Sequence, residues 1–315
     1  MSKFEKMMKD QKKFSDLFFK SEVLTEEERV ERHKIFALAL HSEVSCLADA
    51  VYYKDHQPIK TETKRQKILY ETVDVIRYCL ATLNLWDMTA GEFLDAYESR
   101  EAFLWDRETR GIQNWSGQPV VVVDIDDVLA RFREGFFSWV KTKFDVTLDV
   151  EDPSYYVQGS VGDISIEEAY MIFIKEGGIR SLPLNNLVVE AIKTLQDSGF
   201  WIHLLTARPK ENLKCLYDTY LWLEKTKIPY NSVALDAEKY RWLSDKDFFN
   251  QGKIVCAVDD SPKNASEYAQ HGIPVLVPKR AYNKDVWEDE NIITFDWETE
   301  DISGIIKGLL PQEVE

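Results

Sequence analysis

The stretch VVVDIDDVLA, Val121 to Ala130, constrains the chain most. Val120 to Val123 run without a polar break into Asp124, Ile125, Asp126 and Asp127. A short, unbroken run of β-branched residues reads as a strand buried on both faces, the kind found in parallel sheets. Three carboxylates at the end of such a strand are a poor choice for stability, because they repel one another and are costly to strip of water. They are a good choice for holding Mg2+ and a phosphate. A solvated acidic turn explains DxD alone equally well, so the rest of the chain has to decide.

From Val120 onward, short apolar runs alternate with helical patterns. WIHLLTARP is predicted as a strand ending at Thr206, SVALD as another, and KIVCAVDD as a strand ending at Asp259 and Asp260. GIPVLVPK and NIITFDW add two more, while GFFSWVKTKF and LVVEAIKTLQDSG carry helical spacing. This alternation predicts an α/β, Rossmann-like domain with a parallel sheet over 119–315. Sites in such sheets lie at the C-terminal strand ends. Asp124, Thr206 and Asp259 all fall there. Between Asp124 and Thr206 lie 81 residues, more than a strand–helix–strand unit needs. About 132–182 are expected to form a small helical cap, and they hold Phe136, Phe137, Trp139, Tyr155, Tyr156, Tyr170 and Phe173. Most of these rings are expected to be the cap's own core.

Residues 1–110 have a different texture. Glycine is absent before Gly91 and Pro58 is the only proline. Helices are predicted over about 2–20, from Thr25 to about Tyr53, over about 61–85, and from Thr89 to about Arg107. Thr25 with Glu28, and Thr89 with Glu92, have the spacing of capping boxes. The expectation is a separate all-α helical bundle, followed by a linker at 111–118 that contains Gly111 and Gly117. Glu43 lies in ALALHSEVSCLADAV, and Glu71 and Asp74 in ILYETVDVIRYCL. The i, i+3 spacing puts Glu71 and Asp74 on one helix face. Three acids among apolar residues on two helices are candidates for a second Mg2+ site. A partly exposed polar face is the other reading.

The net charge is −16. Residues 1–116 carry 18 basic and 21 acidic side chains, which leaves −13 for the remainder. Nucleic-acid binding needs a basic stripe, and none is visible. The balance favours a small phosphorylated substrate, with a metal and a few local cations handling its charge. No apolar run reaches the length of a membrane span, and MSKFEKMMKDQKK is not a secretory signal. Cys46, Cys79, Cys215 and Cys256 show no CxxC spacing and are expected as reduced core residues of a cytoplasmic protein. P-loop, GxSxG and HExxH motifs are missing.

DIDDVL, LLTARP and AVDDSPKN, in this order on three strand ends, resemble the first, second and fourth motifs of the haloacid dehalogenase phosphatases. The resemblance covers about residues 118–300. It implies that Asp124 is a nucleophile forming an aspartyl-phosphate and that Asp126 is the acid and base. It also implies that Mg2+ is held by Asp124, the Asp126 carbonyl, Asp259 and Asp260. Thr206 and Ala207 would meet the phosphate, with Lys210 as a further contact. The family's lysine follows a strand and opens a helix. That points to Lys239, with Lys246 in reserve and Lys253 less suited. The cap's place is similar to that of the 5'(3')-deoxyribonucleotidases, where aromatic rings stack on the base.

The helical domain resembles the all-α NTP pyrophosphatases of the MazG-like and dimeric dUTPase group. The resemblance rests on Gln11, Glu43, Glu71 and Asp74, and covers about a third of the chain. Cys46 stands where that family has a second acid on the helix, which removes a hard oxygen ligand. The resemblance implies a homodimer formed through the N-terminal helices. Together the two resemblances imply a Mg2+-dependent phosphatase of (deoxy)nucleoside monophosphates, fused to a domain that hydrolyses (d)NTPs to monophosphate and pyrophosphate. Two alternatives are a phosphatase with a non-catalytic dimerisation or nucleotide-binding bundle, and a 3'-phosphatase of nucleic-acid ends.

Overall fold

The structure is a computed structural model and describes residues 1–19, 23–50, 65–154 and 160–310. Tyr155 and Tyr156, and the outer ends expected for the first three helices, lie outside the described residues. The chain forms two compact units, Met1–Tyr97 and Glu98–Glu315.

The first unit is helical. Helix α1 (Lys3–Asp16) starts at Ser2, whose hydroxyl accepts from the Glu5 amide at 3.1 Å. Helix α2 (Glu26–Asp49) starts at Thr25, and helix α4 (Ala90–Thr109) starts after Thr89, its residues from Glu98 on belonging to the second unit. Both threonines use the capping boxes that their sequences predict: the Glu28 and Glu92 carboxylates each accept the threonine amide at 2.8 Å. Helix α3 (Arg65–Leu85) packs against α1 and α2. The core is small, with Phe36, Ala81 and Leu85 buried among Phe19, Leu24, Tyr78 and Trp86. Many apolar side chains stay outside it. Leu38 is 74% exposed, and Leu69 and Tyr70 are each 60% exposed.

The second unit is built on a six-stranded parallel sheet. Its strands are β1 (Val120–Val123), β4 (Trp201–Thr206), β5 (Ser232–Leu235), β6 (Ile254–Val258), β7 (Val275–Pro278) and β8 (Ile292–Phe295). They lie in the order β5–β4–β1–β6–β7–β8. The chain leaves β1 toward β4 and β5, then returns to the other side of β1 for β6. That reversal opens a crevice at the C-terminal ends of β1 and β6. Val121 and Val123 face one apolar layer and Val120 and Val122 the other, so β1 is buried on both faces. Helices α7 (Asn186–Asp197), α8 (Leu213–Thr226), α11 (Pro262–Gln270) and α12 (Ile302–Gly308) cover the sheet, with short α9 (Lys239–Ser244) and α10 (Asp247–Asn250) between β5 and β6.

The insertion after β1 is a cap made of α5 (Phe132–Phe144), a β2–β3 hairpin (Ser160–Val161 with Ile164–Ser165) and α6 (Ile166–Lys175). Its rings pack mainly on each other. Phe136 meets Trp139 and Phe132 in stacked pairs and Phe173 edge-on. The two chain crossings between sheet and cap are bonded to one another. The Arg131 amide donates to the Pro183 carbonyl at 2.9 Å, and the Asn185 amide to the Leu129 carbonyl at 2.8 Å.

The cysteines depart from expectation. Cys215 and Cys256 are core residues, but Cys46 and Cys79 are exposed. Both lie on helices that leave many apolar side chains exposed, so a cysteine among apolar neighbours in sequence can still fall on the outer face.

One buried titratable group lies outside the active-site cavity. His203 on β4 stacks on Trp242 at 4.8 Å and shares a 2.8 Å bond with the Ser232 hydroxyl. Burial pushes its pKa down to about 3, with Lys246 adding to the effect. The unfolded chain therefore takes up this proton first as pH falls below its ordinary value near 6.5, and stability is lost from there downward. The loss is at most about 1.4 kcal/mol per pH unit. His203→Phe should show a smaller fall in Tm than the parent between pH 6.5 and 4.5. Equal falls in the two proteins would remove His203 as a cause.

Candidate active site

Five carboxylates gather in the crevice. Asp124, Asp126 and Asp127 follow β1, and Asp259 and Asp260 follow β6. Both strands end just before their acids, at Val123 and Val258, so the carboxylates sit on the first loop residues. Backbone pairing fixes the two loops side by side: the Asp124 amide donates to the Val258 carbonyl at 2.9 Å.

Lys239 is the counter-charge at the centre. It opens α9 and is 1% exposed. Its Nζ lies 2.8 Å from Asp124 Oδ1 and 2.7 Å from Asp259 Oδ2. Burial opposes its charge, yet Asp124 and Asp259 hold its pKa well above the usual lysine range. The two other candidate lysines lie elsewhere. The Lys246 ammonium is 4.5 Å from the Trp242 ring centroid. Lys253 precedes β6, where its carbonyl accepts the Val120 amide, at the opposite edge of the sheet.

Asp259 is tightly held. Beyond Lys239, it accepts from the Ser261 amide at 3.0 Å and from Asn264 Nδ2 at 3.2 Å to each oxygen. Asp260 accepts from the Tyr282 hydroxyl at 2.7 Å. Burial pushes the Asp124 carboxyl up to about 7; Lys239 pulls it down, and Asp259 and Asp126 push it further up. Burial, then Asp124, Asp127 and Asp259, raise Asp260 well above the carboxylate range. Oxygens of Asp124, Asp259 and Asp260 lie within 4.8 Å of one another. Three hard oxygen donors this close together fit a divalent cation of the Mg2+ type.

Thr206 ends β4 and is fully buried, and its Oγ1 accepts the Arg208 amide at 3.4 Å. Ala207 lines the cavity beside it. Lys210 does not line that cavity. It is exposed and bonds Asp236 at 2.7 Å. Asp126 is gripped by a residue that the sequence reading passed over. Arg208 donates Nη2 to Asp126 Oδ1 at 2.7 Å and Nε to Oδ2 at 3.0 Å. Its Nη1 reaches Thr219 Oγ1 on α8 at 3.1 Å. Asp127, which has no chemical role in the sequence reading, has a structural one: it takes a left-handed conformation (φ 53°), and its carboxylate accepts the Arg133 amide at the start of α5.

Above these groups lies a cavity of about 340 Å3. Its floor includes Asp124, Asp126, Thr206, Lys239, Asp260 and Asn264, and its cap side Phe132, Phe136, Phe137, Ile166, Glu167 and Tyr170. Arg208 and Asn264 had a signal in the sequence, since each stands inside a motif already singled out, TARP and DDSPKN. Tyr282, 22 residues beyond Asp260, had none.

In the helical unit, Glu43, Cys46 and Glu71 offer ligand atoms within 4.8 Å of each other. Asp74 is not in this group, and its carboxylate lies 3.9 Å from Arg77. Gln11 is buried and accepts from Arg77 Nε at 3.1 Å. Among the described residues no helix is long and apolar enough to cross a membrane.

No family model matches the chain, and no curated protein sequence matches it. Similar solved structures include a predicted phosphatase from Clostridium acetobutylicum, at 15% identity and TM-score 0.43 over 62% of this chain and 99% of that one. A HAD family hydrolase from Deinococcus radiodurans R1 with bound phosphate and sodium is similar at 12% identity and TM-score 0.42, over 62% of this chain and 99% of that one. D,D-heptose 1,7-bisphosphate phosphatase from B. bronchiseptica, complexed with magnesium and phosphate, is similar at 12% identity and TM-score 0.35, over 61% of this chain and 98% of that one.

Proposed function

We propose that the second unit is a phosphomonoester hydrolase of the haloacid dehalogenase type, acting on (deoxy)nucleoside monophosphates through an aspartyl-phosphate. The observation that carries this reading is the buried Lys239 ammonium bonded to both Asp124 and Asp259 beneath a cavity. A carboxylate that faces a cavity with a lysine at its side, and metal-type acids beside it, is set for in-line attack on phosphorus.

In the first half-reaction an Asp124 oxygen bonds phosphorus as the bond to the leaving oxygen breaks. Asp126 gives that oxygen its proton. In the second, water attacks phosphorus, Asp126 takes the proton from the water, and the Asp124–phosphorus bond breaks to release phosphate. Arg208 orients Asp126 for both steps. Thr206 donates to a phosphoryl oxygen, and Lys239 offsets charge in the transition state. Asp124, Asp259, Asp260 and the Asp126 carbonyl would hold Mg2+, which supplies the charge that lets an anionic nucleophile meet an anionic phosphate. A wall of rings above the floor supports a nucleoside as leaving group.

For the helical unit, a specific observation favours the non-catalytic reading. Two carboxylates and a thiol converge, while the third expected acid, Asp74, faces Arg77. A thiol suits Mg2+ poorly. The exposed Leu38, Leu69 and Tyr70 support self-association through these helices.

Asp124→Asn should lower kcat for phosphate release from dNMPs with Mg2+ by at least about a thousandfold. An unchanged rate would refute the catalytic assignment. The same protein should release no pyrophosphate from a panel of dNTPs, and pyrophosphate above the blank would restore the helical unit as a second hydrolase. Stability should report the cation. The folded chain keeps protons on Asp124 and Asp260 that the unfolded chain gives up near pH 4. In chelator, these two carboxyls therefore withdraw stability as pH rises from about 4 through 7, opposite in sign to His203, and millimolar Mg2+ should raise Tm more at pH 8 than at pH 5. A Tm indifferent to Mg2+ at pH 8 would argue against this metal site.

A further inference from the structure

The cavity above Asp124 tells what the leaving group must be. Among the described residues three cations line it, and each is already committed. Lys239 bridges Asp124 and Asp259. Arg208 is doubly bonded to Asp126 and braced on Thr219. Arg133 donates to the carbonyls of Val150, Asp152 and Ser154, and its guanidinium lies 3.9 Å from the Tyr282 ring centroid. Arg133 belongs to α5 of the cap, but its guanidinium is held by those carbonyls and lies over that ring. Beside Arg133, the cap side presents Phe132, Ile166, Tyr170 and the acid Glu167.

Glu167 stands in the first turn of α6, next to Glu168. A helix start is otherwise an attractive place for an anion. Here Ser165 takes the Glu168 amide and the two glutamates occupy the positive end. A second phosphate or a carboxylate on the substrate would meet Glu167, while Arg133, Arg208 and Lys239 are held by other partners. An unpaired charge pressed against a like charge is a standard way of rejecting a wrong ligand.

We propose that Glu167 and the apolar wall around it select phosphomonoesters whose leaving alcohol is uncharged, and reject those carrying a second anionic group. This rests on the phosphatase reading above. A nucleoside monophosphate satisfies the rule. A nucleoside bisphosphate or a phosphorylated hydroxy acid breaks it.

Phenyl phosphate and 4-carboxyphenyl phosphate differ by one carboxylate and probe the rule directly. The full chain with Mg2+ should show kcat/KM for phenyl phosphate at least about tenfold above that for the carboxylated ester. Glu167→Gln should narrow the ratio and Glu167→Lys should narrow it further, by about tenfold or more. Glu190→Lys makes the same charge change on exposed α7, outside the cavity lining, and should keep the parental ratio. Equal kcat/KM for the two esters in the parent, or a ratio that Glu167→Lys leaves unchanged or that Glu190→Lys shifts equally, overturns the proposal and leaves the phosphatase reading standing. Hydrolysis of neither ester, nor of any dNMP, overturns both.

Discussion

The site depends on one buried ammonium. Lys239 sits between acids from two different loops, and without it Asp124 and Asp259 would face each other in a water-poor crevice. A buried carboxylate pair of that kind is strongly unfavourable unless protonated or bridged. The lysine serves the fold first. It makes the acid cluster tolerable, and in the proposed reaction it offsets the charge on the transferring phosphoryl group.

Around that centre the groups are braced in layers. Asn264 and the Ser261 amide fix Asp259, and Ser261 also caps α11. Tyr282 fixes Asp260 and lies beneath the Arg133 guanidinium, which in turn holds the carbonyls of the cap segment at Val150 to Ser154. A continuous run of contacts thus joins a floor carboxylate to the cap. Precision in a site comes from supports of this sort as much as from the reacting groups.

Much of this was legible in the sequence, because it rests on short-range rules. An unbroken apolar run gives a parallel strand, and the acids after Val123 and Val258 fall at strand ends whatever the rest of the fold does. The two threonine capping boxes are equally local. What escaped depends on neighbours distant in sequence or on rotamers. Spacing put Glu71 and Asp74 on one face, but Arg77, three residues beyond Asp74, lies beside it and it stays out of the cluster. Lys210 follows the motif closely, yet its long stem reaches Asp236 instead. Arg208 was visible as a letter in TARP. Its partner Asp126 lies 82 positions away and was not. The exposed Cys46 and Cys79 show that apolar company in sequence does not fix the side of a helix.

The paired crossings between sheet and cap have a consequence of their own. The chain leaves the sheet layer at Leu129–Arg131 and re-enters at Pro183–Asn185, and the two points are tied by hydrogen bonds. To the sheet, everything between them is a closed loop whose ends already touch. Closing a longer or shorter loop across the same gap changes the entropy only slowly with length. Such a fold can exchange the whole intervening segment for another of different size while the strands, and the acids at their tips, stay in register. The cap and the acid-bearing strand ends therefore reside in parts of the chain that are free to evolve on separate clocks.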